Sequence, residues 1–407
     1  MADDEHYRTV LAAAALLYAN GQSTAMTQTA VARLNRGLSL DTVLIPSWPM
    51  LTLTAEGSRD TVVTEPVSPT GINMRRVGAL MRVIDRAQDG PLELPIVARA
   101  VADADAEKPS NTVAFTIACA TGAGALAVIF GATHPATVLL VAIGAATGGL
   151  LRRWLGTTGA DPLVQVFGAG VIAGAFGALA AHLNLGASTA LVAVCQAMVL
   201  VPGPHVLNGA LDLLDLRVSL GLARLGYAAV VLAAITGGLV LGLGLGGQTL
   251  AVSAPASAAP FYFDVVAAGI AAASYPVYFS MPWRMIGWPV AVGALAHALH
   301  WWVLHAGASM ALAAFLSCLL VGAILVPVSH YIRIPFAGIG FASVVALVPG
   351  VYVFRTLSGF VQFAGHPSPA LLSAAASDLI VASITLTGMA IGLALPMHFF
   401  GSTLSWR

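Results

Sequence analysis

Beyond residue 111 the chain is a succession of apolar runs interrupted by short clusters of glycine, proline and charge. A bilayer core is crossed by about 20 mostly apolar residues of helix. Cutting the chain at those clusters gives ten runs of suitable length: residues 112–131, 135–151, 162–183, 187–211, 219–245, 261–281, 286–305, 309–330, 335–358 and 370–396. The first 111 residues have a different pattern. Residues 5–19 and 24–36 predict helices, the second with Ser23 or Thr24 as N-cap. TVLIP, MLTLTA and DTVVTE predict short strands joined by turns. NMRRVGALMRVIDRAQ predicts an amphipathic helix closed by the Asp89-Gly90-Pro91 turn, and residues 95–106 predict another. The expected fold is an α-helical polytopic membrane protein with a small α+β N-terminal domain over residues 1–111.

Composition sharpens this division. Of 407 residues 58% are hydrophobic and 9% charged, with mean hydropathy +0.87, too little charge for a soluble globular chain. Residues 1–111 hold 10 of the 18 Lys/Arg and 13 of the 18 Asp/Glu. The opening MADDEHYRTV has no basic stretch before an apolar core, so no cleaved signal peptide is expected and the first domain is expected to stay in the cytoplasm. Basic residues in short loops favour that same side. With the N-terminus inside, the inner loops and tail hold Arg152, Arg153, Arg217, Arg224, Arg284, Arg333 and Arg407, against Arg355 alone outside. That bias fits ten spans with both termini cytoplasmic. Trp283, Trp288, Trp301 and Trp302 flank the seventh span as interfacial aromatics do. Gly144/Gly148 and Gly170/Gly174 form small-residue rows for close helix packing. Cys119, Cys195 and Cys318 all lie within apolar runs, so neither disulfides nor a cysteine metal site is expected.

Ten spans divide into two modules of five, residues 112–245 and 261–398, and the modules share a local sequence. LVPGPHV at 200–206 and LVPGVYV at 347–353 each lie in the fourth helix of a module, 147 residues apart. Because five is odd, the second copy crosses in the opposite direction, which is an inverted repeat. Pro202 lacks an amide hydrogen and deprives the Met198 carbonyl of its helical partner; Pro204 does the same to Leu200 and Pro349 to Val345. Gly203 and Gly350 add backbone freedom. The expectation is two antiparallel broken helices, with freed carbonyls to bind an ammonium and half-helix N-termini to bind a carboxylate. The alternative is a pair of simple proline kinks.

These residues resemble the threonine/serine exporter family, whose pattern is Val-Pro-Gly, a small polar stretch, an Asp, then Gly and Arg opening the next helix. VPGPHVLNGALDLLDLRVSLGLAR supplies Val201, Pro202, Gly203, Asn208, Asp212, Gly221 and Arg224, and LVPGVYVFRTLSG supplies Pro349 and Gly350. ANGQSTAMTQTAVARLNRGLSLDTVLIPSW is similar to the family's leading domain. The resemblance implies a bacterial inner-membrane carrier with Val201, Pro202, Gly203, Asn208, Pro349 and Gly350 among its substrate contacts; His205 and Pro204 depart from the pattern.

Charges at membrane depth are functional candidates. Asp378 and Asp264 are each candidates for a proton-carrying carboxylate, against a structural hydrogen bond for Asp378 and an interfacial position for Asp264. Asp212 is expected to pair with Arg217 or Arg224 near the inner face, with a gate role as the alternative. His205, beside the first break, is either a site residue that titrates or a packed neutral imidazole. Arg355 is either an external anion contact or a snorkelling side chain. His297 and His300 have no acid or cysteine at ligand spacing, so no metal is expected. GLGLGG at 242–247 ends an apolar run and does not follow a strand, so it is no nucleotide fingerprint.

The expected function is export of small polar amino acids, threonine and serine in particular, by proton antiport with alternating access. A passive channel, or an exporter of another small metabolite, is the alternative. HExxH, GxSxG and paired catalytic carboxylates are missing, so no enzyme activity is expected. The expected partners are the solute, protons and lipid, with no cofactor and no nucleic acid. Regulation or homo-oligomer contact is the expected role of the first domain.

Overall fold

The computed structural model describes residues 2–55, 62–183, 189–250, 259–331 and 336–403. Arg333 and Arg407, counted above among inner charges, lie outside them. The N-terminal region begins with α1 (Ala2–Ala19) and α2 (Thr24–Leu38). Ser23 caps α2 by accepting from the Met26 amide at 3.3 Å. An antiparallel sheet follows in the order β1 (Thr42–Pro46), β2 (Met50–Ala55), β3 (Val62–Pro66), in register Leu44 to Leu53 and Leu53 to Val63. Alternation turns Leu44, Leu51 and Leu53 inward, onto a core with Val10, Leu17, Leu34, Leu80 and Ile84. The last two come from α3 (Met74–Ile84), which continues as a single 3₁₀ turn, and α4 (Leu94–Asp105) completes the region. A buried Arg33–Asp85 ion pair ties α2 to that turn.

Among the described residues twelve apolar helices follow: α5 (Thr112–Ile129), α6 (Pro135–Thr157), α7 (Pro162–His182), α8 (Thr189–Met198), α9 (Gly203–Leu214) and α10 (Val218–Leu245), then α11 (Phe261–Tyr278), α12 (Gly287–His305), α13 (Met310–Tyr331), α14 (Phe336–Val344), α15 (Gly350–Gly365) and α16 (Pro369–Thr403). Local sequence explains several starts. Asn111 and Asp161 accept from the Ala114 and Leu163 amides at 2.7 and 2.8 Å, and Pro135 and Pro162 occupy the first turn, where no amide is needed. Apolar residues also face outward along the bundle, among them Ile117, Leu139, Val230, Ile380 and Ile384, which is the surface a hydrocarbon solvent demands.

Among the described residues six helices are long and apolar enough to cross a membrane: α5, α6, α7, α10, α13 and α16. Each bent pair, α8 with α9 and α14 with α15, adds one more span if it crosses as a unit, making eight. The chain is a multi-pass membrane protein. Of the ten runs in the sequence, α11 and α12 fall short of the same measure. Asp264, Ser274, Tyr275 and Pro276 dilute the first, and three histidines dilute the second.

In both halves the third helix packs on the fifth, α7 on α10 and α13 on α16. Gly170 and Gly174 meet Gly238 and Gly242 so closely that a methyl at Gly174 would lie 2.1 Å from the Leu239 carbonyl oxygen. Gly144 instead makes room for the Gln196 side chain.

Gly174→Leu is expected to force α7 and α10 apart and to destabilise the protein by about 1–3 kcal/mol or more. The midpoint of thermal unfolding in detergent, followed by size-exclusion chromatography, measures it. Gly226→Ala, which meets nothing within 4 Å, should leave the midpoint unchanged or slightly raised.

Candidate functional site

The fourth helix of each half is broken, by 67° between α8 and α9 and by 62° between α14 and α15. The two breaks have one geometry. Pro202 sits at φ −78°, ψ 56° and Pro349 at φ −77°, ψ 50°. The Gly203 amide donates to the Val201 carbonyl and the Gly350 amide to the Val348 carbonyl, both at 2.8 Å. Each is an inverse γ-turn centred on proline, whose ring presets the required φ.

The breaks face one another. Phe341 of α14 lies over Gly203, where a Cβ would be 2.2 Å from its ring, and Met198 of α8 lies over Gly350, with its methyl 2.9 Å from such a Cβ. Between them is an apolar cavity of about 50 Å³, lined by Val201, Gly203, Phe341, Val348, Gly350 and Met389 among others.

For the Met198 and Val345 carbonyls and for the amides at the start of α9, the expectation of free backbone groups needs correcting. The Met198 carbonyl accepts from the Val201 amide at 3.3 Å and the Tyr275 hydroxyl at 3.4 Å, and the Val345 carbonyl accepts from the Val348 amide at 3.3 Å. At the start of α9 the Gly203 and His205 amides are bonded to Val201 and Pro202 carbonyls, and Pro204 has no amide hydrogen. The chain tightens into short local bonds at the turn, so these groups are satisfied within the protein.

A larger space of about 730 Å³ reaches the first break from the side of the N-terminal region. Its lining includes Val201, Pro202 and His205 at the first break, Arg152, Arg153, Gln165 and Tyr278 from the helices, and Thr70, Gly71 and Ile72 from the N-terminal region. His205 is buried beside Tyr227, with ring centroids 4.9 Å apart. Its Nε2 is 2.9 Å from the Pro69 carbonyl; a carbonyl can only accept, so Nε2 carries the hydrogen.

The charges singled out at membrane depth, Asp212, Asp264, Arg355 and Asp378, each have a charged or ionisable partner. Asp212 on α9 lies 3.0 Å from Arg224 on α10 and 3.4 Å from Arg217. The Thr24 hydroxyl, at the start of α2, donates to Asp212 at 3.0 Å. Arg224 is 1% exposed and stands 4.9 Å from the Tyr18 ring centroid. Burial pushes the Tyr18 phenol up to about 12, so a neutral ring meets the cation. Arg217 bonds Gln28 at 3.0 Å, and Asn208 donates to the Gly21 carbonyl at 3.4 Å. This cluster seats the N-terminal region on α9. Ser23, Thr24, Asn208, Asp212 and Arg217 also border a cavity of about 220 Å³.

The second half repeats the arrangement with the signs exchanged. Arg355 on α15 is 2.9 Å from Asp378 on α16. The two pairs sit at opposite ends of the bundle. His398, late in α16, lies 3.5 Å from Asp215, whereas Asp378 is 20 residues earlier on that helix, roughly 30 Å away at 1.5 Å per residue. Asp264 on α11 is held by His297 on α12, with Nδ1 2.7 Å from the carboxylate oxygen, and the His300 ring is 5.7 Å from that of His297. Asp264 is therefore buried within the protein and hydrogen-bonded. Sequence spacing had set the two histidines apart from any acid; helix packing supplies one. Among the described residues no group of three or more His, Cys, Asp or Glu is placed to hold a metal ion.

Residues 8–246 match the family ThrE, described as "Putative threonine/serine exporter", and residues 264–399 match a second family, ThrE_2, described as "Threonine/Serine exporter, ThrE". The chain belongs to the threonine/serine exporter family. An uncharacterized protein of Haemophilus influenzae is 28% identical over 140 residues, 34% of this chain and 47% of that protein. The chain thus spans about half the length of that curated relative. No solved structure matches it. In this exporter-family chain the two matches divide near the loop between α10 and α11, so each match contains one bent pair.

Removing one member of a buried ion pair leaves the other charge uncompensated, at about 3–5 kcal/mol. Asp212→Asn is expected to lower the thermal midpoint and to expose the connection after α4 to limited proteolysis. Asp212→Leu combined with Arg224→Met should recover much of the stability; a double variant no better than the single one would refute the pairing.

Proposed function

We propose that the chain is a secondary carrier that exports small polar amino acids, threonine and serine, across a bacterial inner membrane by proton antiport and alternating access. On this reading ten spans form two inverted five-helix repeats, over residues 112–245 and 261–398. Residues 1–111 form a cytoplasmic domain, and α11 and α12 count as spans. Family membership supports the export of amino acids. The observation that carries the mechanism is the matched pair of proline-centred breaks, of equal geometry, pressed face to face at the middle of the fold. Such discontinuous helices at a repeat interface are where secondary carriers bind solute. The arginines of α6 and those after α9 lie at the end covered by the N-terminal region, as cytoplasmic basic residues would.

In this arrangement the 730 Å³ vestibule loads solute from the cytoplasm toward Val201, Pro202 and His205. The 50 Å³ apolar cavity at the breaks is too small for an amino acid, so passage requires Phe341 and Met198 to withdraw from Gly203 and Gly350. Asp212–Arg224 and Arg355–Asp378 hold the half-helices that follow the breaks, one pair at each end, and serve as inner and outer gates. A proton is best carried by the Asp264–His297 couple. There two titratable groups share one hydrogen bond, while Asp378 faces a guanidinium that keeps its charge.

Proteoliposomes with the full-length protein should show saturable counterflow of labelled threonine, inhibited by serine. In dipeptide-loaded cells efflux should fall severalfold when a protonophore collapses the gradient; equal efflux with and without it would remove the coupling. Asp264→Asn should abolish the gradient dependence while counterflow persists. Asp378→Asn should depress both by roughly tenfold or more, because Arg355 is left buried without its counter-charge.

A further inference from the structure

The two buried arginines among the described residues, Arg33 and Arg224, have carboxylate partners in Asp85 and Asp212, and the partly buried Arg355 has Asp378. Two half-buried arginines stand apart. Arg152 and Arg153 are consecutive at the end of α6 and both line the 730 Å³ vestibule. Arg152 donates to the Tyr278 hydroxyl and lies 5.5 Å from that ring's centroid. Arg153 donates to the Ser110 carbonyl at 2.9 Å and lies 4.2 Å from the Phe115 ring centroid. These contacts fix the direction of the guanidiniums and contribute no negative charge. Among the described residues no carboxylate lines this space and none pairs with either arginine.

Two adjacent cations in a partly desolvated cavity repel one another, and a bound anion relieves that repulsion while taking charge-assisted hydrogen bonds from the free N–H groups. The first break offers no substitute, since the first amides of α9 are already bonded, and the cavity between the breaks is apolar.

We propose that Arg152 and Arg153 read the carboxylate of the solute, and that the vestibule admits small carboxylates of net charge zero or below. Amino acids with a blocked carboxyl group, and net cations, are turned away, because no acid in the lining answers their charge. This selectivity rests on the carrier reading above. It acts through charge more than size, the space being within the range of ordinary ligand pockets and larger than one small solute. Oxygen anions can reach a pair of arginines from two sources, a soluble carboxylate or a phospholipid headgroup, and the test separates them.

Thermal unfolding of the full-length protein in detergent is followed during titration with threonine, threonine amide and the 2-hydroxy acid of the same carbon skeleton, each with and without phosphatidylglycerol. Threonine and the hydroxy acid are expected to raise the midpoint, and the amide to leave it unmoved. Arg152→Gln with Arg153→Gln should weaken both acids by roughly tenfold or more, whereas the double Lys variant should retain most of the affinity. Equal binding of amide and acid overturns the proposal, as does affinity indifferent to the Gln variants. An arginine-dependent shift given by phosphatidylglycerol alone also overturns it and makes the pair a headgroup anchor. If the Gln variant does not fold, the comparison of acid with amide on the unaltered protein decides. Threonine counterflow that persists while binding ignores both arginines would refute this assignment and leave transport standing; absence of counterflow would remove the carrier reading itself.

Discussion

A helix interrupted within hydrocarbon must dispose of the backbone groups that its missing turn would have bonded. That constraint organises this protein. Both interruptions meet it with the same three-residue turn, Val-Pro-Gly, in which proline sets the dihedral and glycine donates back across it. The Met198 and Val345 carbonyls and both glycine amides thereby find their partners inside the protein. The turn also leaves each glycine without a side chain at the point of closest approach, and bulky residues from elsewhere occupy that bare surface.

The charges follow from the same geometry. Each half-helix that begins at a break packs most closely on the next helix and is fastened to it by an ion pair. The acid stands on the half-helix in the first module and on the long helix in the second. Electrostatics is indifferent to that exchange, since a pair holds equally well with its signs reversed. The pair in the first half has a further load: Thr24, Gln28 and Tyr18 gather around it, and the N-terminal region is seated through them.

Much of this was legible in the sequence because it is written locally. The helices and strands of residues 2–105, the apolar runs and the twin LVPG segments are all short-range signals, and the structure places elements where those signals stand. What escaped was long-range or depended on relaxation. Nothing in the spacing of Arg355 and Asp378, or of Asp264 and His297, announces that they touch, because each contact joins different helices. The carbonyls of Met198 and Val345 were expected to be free on the premise that the chain stays helical up to the proline. In the fold it tightens first, and the partners are found within three residues. Arg152 and Arg153 signalled orientation in the sequence, while their place in a cavity required the packing of α6 against the rest.

The seal over each break is borrowed from the opposite half. Phe341 belongs to the second module and closes over the glycine of the first; Met198 belongs to the first and closes over the glycine of the second. Neither half can therefore rearrange around its own turn in isolation. On the carrier reading proposed above, displacing one bent helix would withdraw the stopper from the other, making the two meshed parts of a single latch.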